Sequence, residues 1–396
     1  MAGTHEGFSL RGRSRLRSYI LNLSGFIAAG FVACLVSSGA SAGLISENGW
    51  TPTALISGGN GDDTRSPAQV VADRRDPNTL TSSFTGVVSI NPIISGQSYI
   101  CSGTMISSRH VLTAAHCVDG DGNGTVMDLS LAENSLNVGF NHDGDIADII
   151  SAQSVTIHAD YDGFNICPDG SLGCVNDDLA VITLDREVPV GVEIYDVYQG
   201  AVSKTDGVVD GTELTMVGYG QPGDGYWGYY NDSDWTDVIG PSFSKKLVGG
   251  NIVDWVDPDD EGGGQSEVWL ADFDGHDDYF DTDIDTLCTD YGICSSWLSE
   301  DVETMIGGGD SGGPSFIYDA DLGEYLLAGI NTFSIPGYGW REGAFGDLFG
   351  GILLNPYRDW ITQQTVAAVP VPAALFLFSS GLAFFALAKK RKGSVV

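Results

Sequence analysis

Residues 308–314 read Gly-Gly-Asp-Ser-Gly-Gly-Pro, a single serine set among four glycines with an aspartate before it. Such a run is a poor component of a packed core and a good component of a reactive centre. Glycine, lacking a Cβ, lets the backbone turn sharply and bring its N–H groups against a bound group. Those N–H groups can hold the negative oxygen that develops when a hydroxyl attacks a carbonyl. The serine hydroxyl needs a base within hydrogen-bond reach, and the base needs a third group to orient it. The position of that base along the chain limits the fold. Residues 309–313 also fit the Gly-x-Ser-x-Gly elbow of α/β-hydrolases, in which the histidine follows the serine. The last histidine here is His276, so with a histidine base that fold is excluded.

Two upstream segments supply partners. Thr113-Ala114-Ala115-His116-Cys117 offers a base, and Asp178-Leu179-Ala180-Val181-Ile182-Thr183-Leu184 offers a carboxylate at the head of an apolar, strand-like run. In this order the three segments resemble the trypsin-like (chymotrypsin-fold) serine proteases, over roughly Phe84 to Gln364. The resemblance implies His116 as general base, Asp178 as its orienting carboxylate and Ser311 as nucleophile, with Gly309 and Ser311 giving the oxyanion-hole N–H groups. It implies a disulfide between Cys101 and Cys117 beside the histidine. It puts Met305 where trypsin has an aspartate, and Thr332, Phe333 and Ser334 on the strand lining the substrate pocket. A neutral pocket floor points to cleavage beside an uncharged, apolar residue. Protein or peptide substrates are implied and no cofactor is required. The chain departs from the family in two places. Gly307 stands where many relatives have a cysteine, and no activated start (a short aliphatic pair followed by two glycines) precedes Phe84.

The rest of the chain is consistent with an all-β body. Glycine is frequent, at 54 of 396 residues, which suits many tight turns better than long helices. Strand-like runs separated by turn signals recur at Phe84–Ile90, Tyr99–Ile106, Asp148–Ile157, Leu179–Leu184, Glu213–Gly218 and Tyr325–Thr332. A helix-period pattern first appears at Asn355–Gln364, which resembles the family's terminal helix. The expected architecture is two six-stranded antiparallel β-barrels, with the three residues in the cleft between them. The expected organisation is a signal peptide at 1–42, a turn-rich polar extension at 43–83, the protease-like domain at 84–364 and a sorting tail at 365–396. A long Asp-, Gly-, Trp- and Tyr-rich insertion lies between Gln221 and Glu300.

Both ends read as sorting devices. Arg11, Arg13, Arg15 and Arg17 precede the apolar stretch Ile20–Val36, and Ala40-Ser41-Ala42 is a small-residue cleavage site. Removing that segment takes Cys34 with it and leaves six cysteines, an even number suited to an oxidising compartment. Beyond Cys101 and Cys117, Cys167 with Cys174 and Cys288 with Cys294 are near neighbours, although six cysteines allow fifteen connectivities. At the other end, Val369-Pro370-Val371-Pro372-Ala373-Ala374, the apolar run Leu375–Ala388 and the cluster Lys389-Lys390-Arg391-Lys392 resemble a PEP-CTERM tail of the VPxPA variant. That resemblance implies export to the surface or surroundings of a Gram-negative bacterium, transient anchoring by the helix, and an exosortase-type membrane processing enzyme as partner. Between the two signals the chain carries 10 basic and 52 acidic side chains, a net charge near −42. Such a body repels nucleic acid, so no nucleic-acid partner is expected.

Asp119-Gly120-Asp121-Gly122-Asn123-Gly124 matches the first half of an EF-hand-type loop. Asp119, Asp121 and Asn123 are therefore candidate calcium ligands, with a plain Asp/Gly turn as the alternative. Asp272–Asp285 contains seven aspartates, some of which could share a cation. The alternative to an enzyme is a catalytically silent protein of the same fold that binds at the cell surface or in its matrix.

Overall fold

The computed structural model describes residues 67–164, 175–200, 211–230, 240–258, 264–277, 282–299, 302–337 and 341–365, with short strand pieces at 45–46, 49–50 and 57–58. The expected signal peptide, the expected sorting tail beyond Thr365 and the Cys167/Cys174 pair lie outside the described residues. No helix among the described residues is long and apolar enough to cross a membrane. The chain divides into two compact units, Met1–Arg358 and Asp359–Val396.

The first six long strands are β1 (Val87–Ile94), β2 (Cys101–Ser107), β3 (His110–Thr113), β4 (Ser135–Phe140), β5 (Asp148–Ile157) and β6 (Ala180–Leu184). They pair antiparallel in the order β1-β2-β3-β6-β5-β4, and β4 returns to β1 through Ser89↔Gly139 and Ile90↔Val138. This closure removes the open edges that a free sheet would expose. β-branched and apolar side chains fill the interior: Val87, Ile90, Val111, Val138, Phe140 and Ile182 are all fully buried.

The second half contributes β7 (Glu213–Gly218), β8 (Leu247–Ile252), β9 (Trp255–Pro258), β10 (Ser266–Asp272), β11 (Pro314–Asp319), β12 (Glu324–Ile335) and β13 (Leu348–Leu353). These pair in the order β8-β7-β11-β12-β13-β10-β9. The two end strands are halves of one bent stretch, separated only by Val253 and Asp254, so the seven pieces amount to six strands and the sheet closes as the second barrel expected from the sequence. At that corner Val253 N–H donates to Thr212 on the β7 side (2.8 Å), while Asp254 N–H donates to Leu270 on β10 (3.0 Å). One bent segment thus serves both ends of the sheet. Trp269, Phe349, Met216 and Leu353 pack inside it.

The stretch read as a polar extension is in part structural. Helix α1 (Pro67–Asp73) sends Val71 into the core of the second sheet. Just after it, the fully buried Lys246 donates to the Phe84 carbonyl (2.6 Å) and ion-pairs with Asp76 (3.3 Å). Upstream, Ser57–Gly58 pairs with both Gly223–Asp224 and Thr304–Met305. The glycine-rich composition of residues 43–66 hid these pairings, because backbone ladders need no apolar side chains. At the other end of the described chain, helix α2 covers Arg358–Thr365.

Candidate active site

His116 lies in a 3₁₀ turn, Ala115–Cys117, directly after β3. The Cys101–Cys117 disulfide ties that turn to the start of β2. Asp178 is presented just before β6 by a tight turn in which Leu179 N–H donates to the Asp177 carbonyl (2.6 Å) and Asp177 holds φ at +57°. Aspartate tolerates this left-handed conformation better than most residues. Because β3 and β6 are neighbours, paired Ala180↔Thr113, the two loops emerge side by side. Asp178 then grips His116 twice. Oδ2 lies 2.7 Å from Nδ1, and Oδ1 accepts the backbone N–H of His116 at 2.8 Å. Asp178 is completely buried and the imidazole nearly so, at 6% side-chain exposure. The Phe164 ring centroid stands 4.8 Å from that of the imidazole, tilted at 57° to it.

Ser311 lies in the turn preceding β11. Gly309 and Gly312 there have φ of +106° and +78°, and a Cβ on Gly312 would strike Thr113 Oγ1 at 2.1 Å. Only glycine meets both demands. Inside the turn Asp310 N–H donates to Gly307, Gly312 N–H to Asn331 and Gly313 N–H to Asp310. The N–H groups of Gly309 and Ser311 stand outside these bonds. The first barrel holds the turn from the other side: Ser102 N–H donates to the Ser311 carbonyl (2.9 Å) and Ser102 Oγ to the Gly309 carbonyl (2.8 Å). Cys117 Sγ lies 3.6 Å from the Ser311 carbonyl oxygen, so the serine's backbone sits against the residue next to His116. The Nε2 atom of His116 is buried and makes no hydrogen bond within the described protein.

A polar network that sequence reasoning missed lies beneath Asp178. Tyr357 Oη donates towards Glu267 Oε1 (2.5 Å) and Asp177 Oδ1 (3.0 Å), Asp177 N–H donates to Glu267 Oε1 (2.9 Å), and His158 Nδ1 lies 3.0 Å from Asp177 Oδ1. The tandem Asp177-Asp178 was the one local signal for it. Burial, followed by the charges of Asp178 and Asp119, raises the Tyr161 phenol above its ordinary range.

Of the expected pocket residues, Met305 is fully buried among the second core, next to the Ser57–Gly58 pairing. Thr332 and Phe333 are buried on β12, at a register shift between Asn331 and Phe333, and Ser334 follows opposite Phe349. The Cys288–Cys294 disulfide is formed. In the candidate calcium loop, Asp119 accepts the N–H groups of Asp121, Gly122 and Gly124, and Asp121 accepts that of Asn123.

Residues 77–234 match the family model described as Trypsin. That stretch contains His116 and Asp178 and ends before Ser311. Brachyurin of Leptuca pugilator is 34% identical over 128 residues, 32% of this chain and 47% of its own length. The venom serine protease Bi-VSP of Bombus ignitus is 35% identical over 96 residues, 24% of this chain and 22% of its own. The chain thus spans about half the length of the first relative and less of the second. A solved HL collagenase chain aligns at 18% identity and a TM-score of 0.40, covering 71% of this chain and 94% of that one.

Proposed function

We propose that this chain, trypsin-like over residues 77–234, is an exported serine endopeptidase. His116 Nε2 takes the proton from Ser311 Oγ as that oxygen attacks a peptide carbonyl. The N–H groups of Gly309 and Ser311 receive the resulting oxyanion. Asp178 fixes the imidazole with its proton on Nδ1 and stabilises the imidazolium. The imidazolium then protonates the departing amine, leaving an acyl group on Ser311, and water attacks that ester with His116 again as base. The observation that carries this reading is the double grip of Asp178 on His116, at Nδ1 and at the backbone N–H. A merely structural histidine needs only one such bond.

Two disulfides among the described residues agree with an oxidising compartment. Export through the 1–42 signal and removal of the 365–396 tail by an exosortase-type enzyme complete the reading. Met305 and Phe333 give an uncharged pocket, which favours an apolar residue at the cleaved bond. A calcium ion on Asp119, Asp121 and Asn123 belongs to the same proposal; it would have to compete with the backbone N–H groups those aspartates now accept.

One observation favours the silent alternative: His116 Nε2 has no hydrogen-bond partner. Catalytic hydrogen bonds are often long before substrate arrives, so the active reading requires this bond to form on binding. Turnover of casein or a peptide by the wild-type chain, lost in Ser311→Ala, is the expected result. Equal turnover by both proteins, or none by either, removes the endopeptidase reading.

A further inference from the structure

We propose that Asp272, Asp274 and Asp285 bind a calcium ion that fastens the insertion after β10 to the second sheet. Asp272 ends β10. Asp274 follows it, and Asp285 comes after the hairpin of Gly275–Asp277 with Thr282–Ile284. One carboxylate oxygen from each of the three lies within 4.8 Å of the others, a spacing that one cation with oxygen ligands at 2.3–2.6 Å can span.

The hydrogen bonds of the cluster point to the ligand. Asp272 Oδ2 accepts the N–H of Leu287 (2.8 Å) and Asp285 Oδ1 that of Cys288 (2.7 Å), which orients both carboxylates. The remaining oxygen of Asp272, Oδ1, is buried without a hydrogen-bond partner, as is Oδ1 of Asp274. These residues are 1% and 4% exposed, so water does not serve them freely. Buried carboxylate oxygens without partners are expensive, and two of them facing a third carboxylate more so. Asp254 and Glu303 surround the group: Asp254 Oδ2 accepts the N–H of Asp272 (3.1 Å), and Glu303 leaves its own Oε1 unpartnered. Five carboxylates thus converge, and their donors are backbone N–H groups and the Ser295 hydroxyl. A divalent cation offsets the mutual repulsion of these buried carboxylates. An all-oxygen anionic donor set suits calcium over softer metals.

The ion would also brace the expected pocket. Asn251 Nδ2 bridges the carbonyls of Asp272 (3.0 Å) and Thr304 (2.9 Å), and Thr304 precedes Met305. The site does not depend on the catalytic reading, and its test is binding.

Calorimetric titration of CaCl2 into the EDTA-stripped whole chain should show an equivalent that Asp274→Asn and Asp285→Asn weaken by at least about tenfold. Asp121→Asn should leave that equivalent in place. No uptake by the wild-type chain overturns the proposal, as does full uptake by both variants or loss of the sole equivalent in Asp121→Asn. Hydrogen exchange on the wild-type chain covers the case of misfolded variants. CaCl2 should slow exchange of the Leu287 and Cys288 amides about tenfold or more, and unchanged exchange there overturns the proposal.

Discussion

Ser102, on the first barrel, clasps the turn of Ser311, on the second: its N–H donates to the Ser311 carbonyl at 2.9 Å and its hydroxyl to the Gly309 carbonyl at 2.8 Å. The same hydroxyl accepts the N–H of Tyr219 at 3.1 Å. Since Ser102 is fully buried, Ser102→Ala leaves a carbonyl and an N–H unpaired away from water. We expect a loss of about 2 kcal/mol in urea unfolding, together with a lower kcat on peptide substrates. Stability unchanged within about 0.5 kcal/mol would show that the clasp is dispensable.

Asp178→Asn separates orientation from charge. The asparagine oxygen can keep the backbone N–H of His116, which turns its NH2 group towards Nδ1. Nδ1 must then accept, the ring proton moves to Nε2, and Nε2 can no longer take a proton from Ser311. The expected fall in kcat is about 10⁴-fold with the fold intact. A fall of less than about tenfold would contradict the assigned tautomer.

Tyr357 stands between two buried carboxylates, Asp177 and Glu267, and donates towards both. Tyr357→Phe removes that donor and brings the two into unscreened repulsion. Destabilisation of about 2–3 kcal/mol is expected. Urea denaturation of the two proteins provides the check, and coincident curves would contradict it.

Asp347 gives a pH signature. Burial pushes its carboxyl up to about 6, although Gly337 and Gly343 N–H groups both donate to it. The folded protein therefore binds a proton between about 4 and 6 that the unfolded chain has already released. This contribution is complete below about 4 and is lost as pH rises through 6, to a total of about 3 kcal/mol at most. Asp347→Asn should remove that part of the slope, while its absolute stability also suffers because one amide face cannot accept a hydrogen bond. Identical slopes in the two proteins would show that Asp347 ionises normally.

The sequence made the chemistry legible sooner than its supports. His116, Asp178 and Ser311 each sit in a short local signature, and the strands at Asp148–Ile157 and Glu213–Gly218 emerge with the bounds expected from strand-like runs between turn signals. Ser102, Glu267 and Tyr357 carried no such signature. Their partners lie 207, 90 and 180 residues away, and a serine or glutamate inside a strand looks like any solvent-facing residue until the sheet closes over it. The corner at Val253-Asp254 was hidden for a related reason: a strand that changes partner keeps the same local pattern on both sides of its bend. The pairing of Ser57–Gly58 with Gly223–Asp224 and Thr304–Met305 was hidden because it is made by backbone groups, which composition does not register.

The central claim is that Ser311 becomes nucleophilic through His116. The most direct test is labelling of the purified protein with a fluorophosphonate, followed by peptide mapping. The account predicts one adduct on Ser311, lost in His116→Ala although the serine is still present. A wild-type protein that stays unlabelled, or a His116→Ala variant labelled at the wild-type rate, would contradict it.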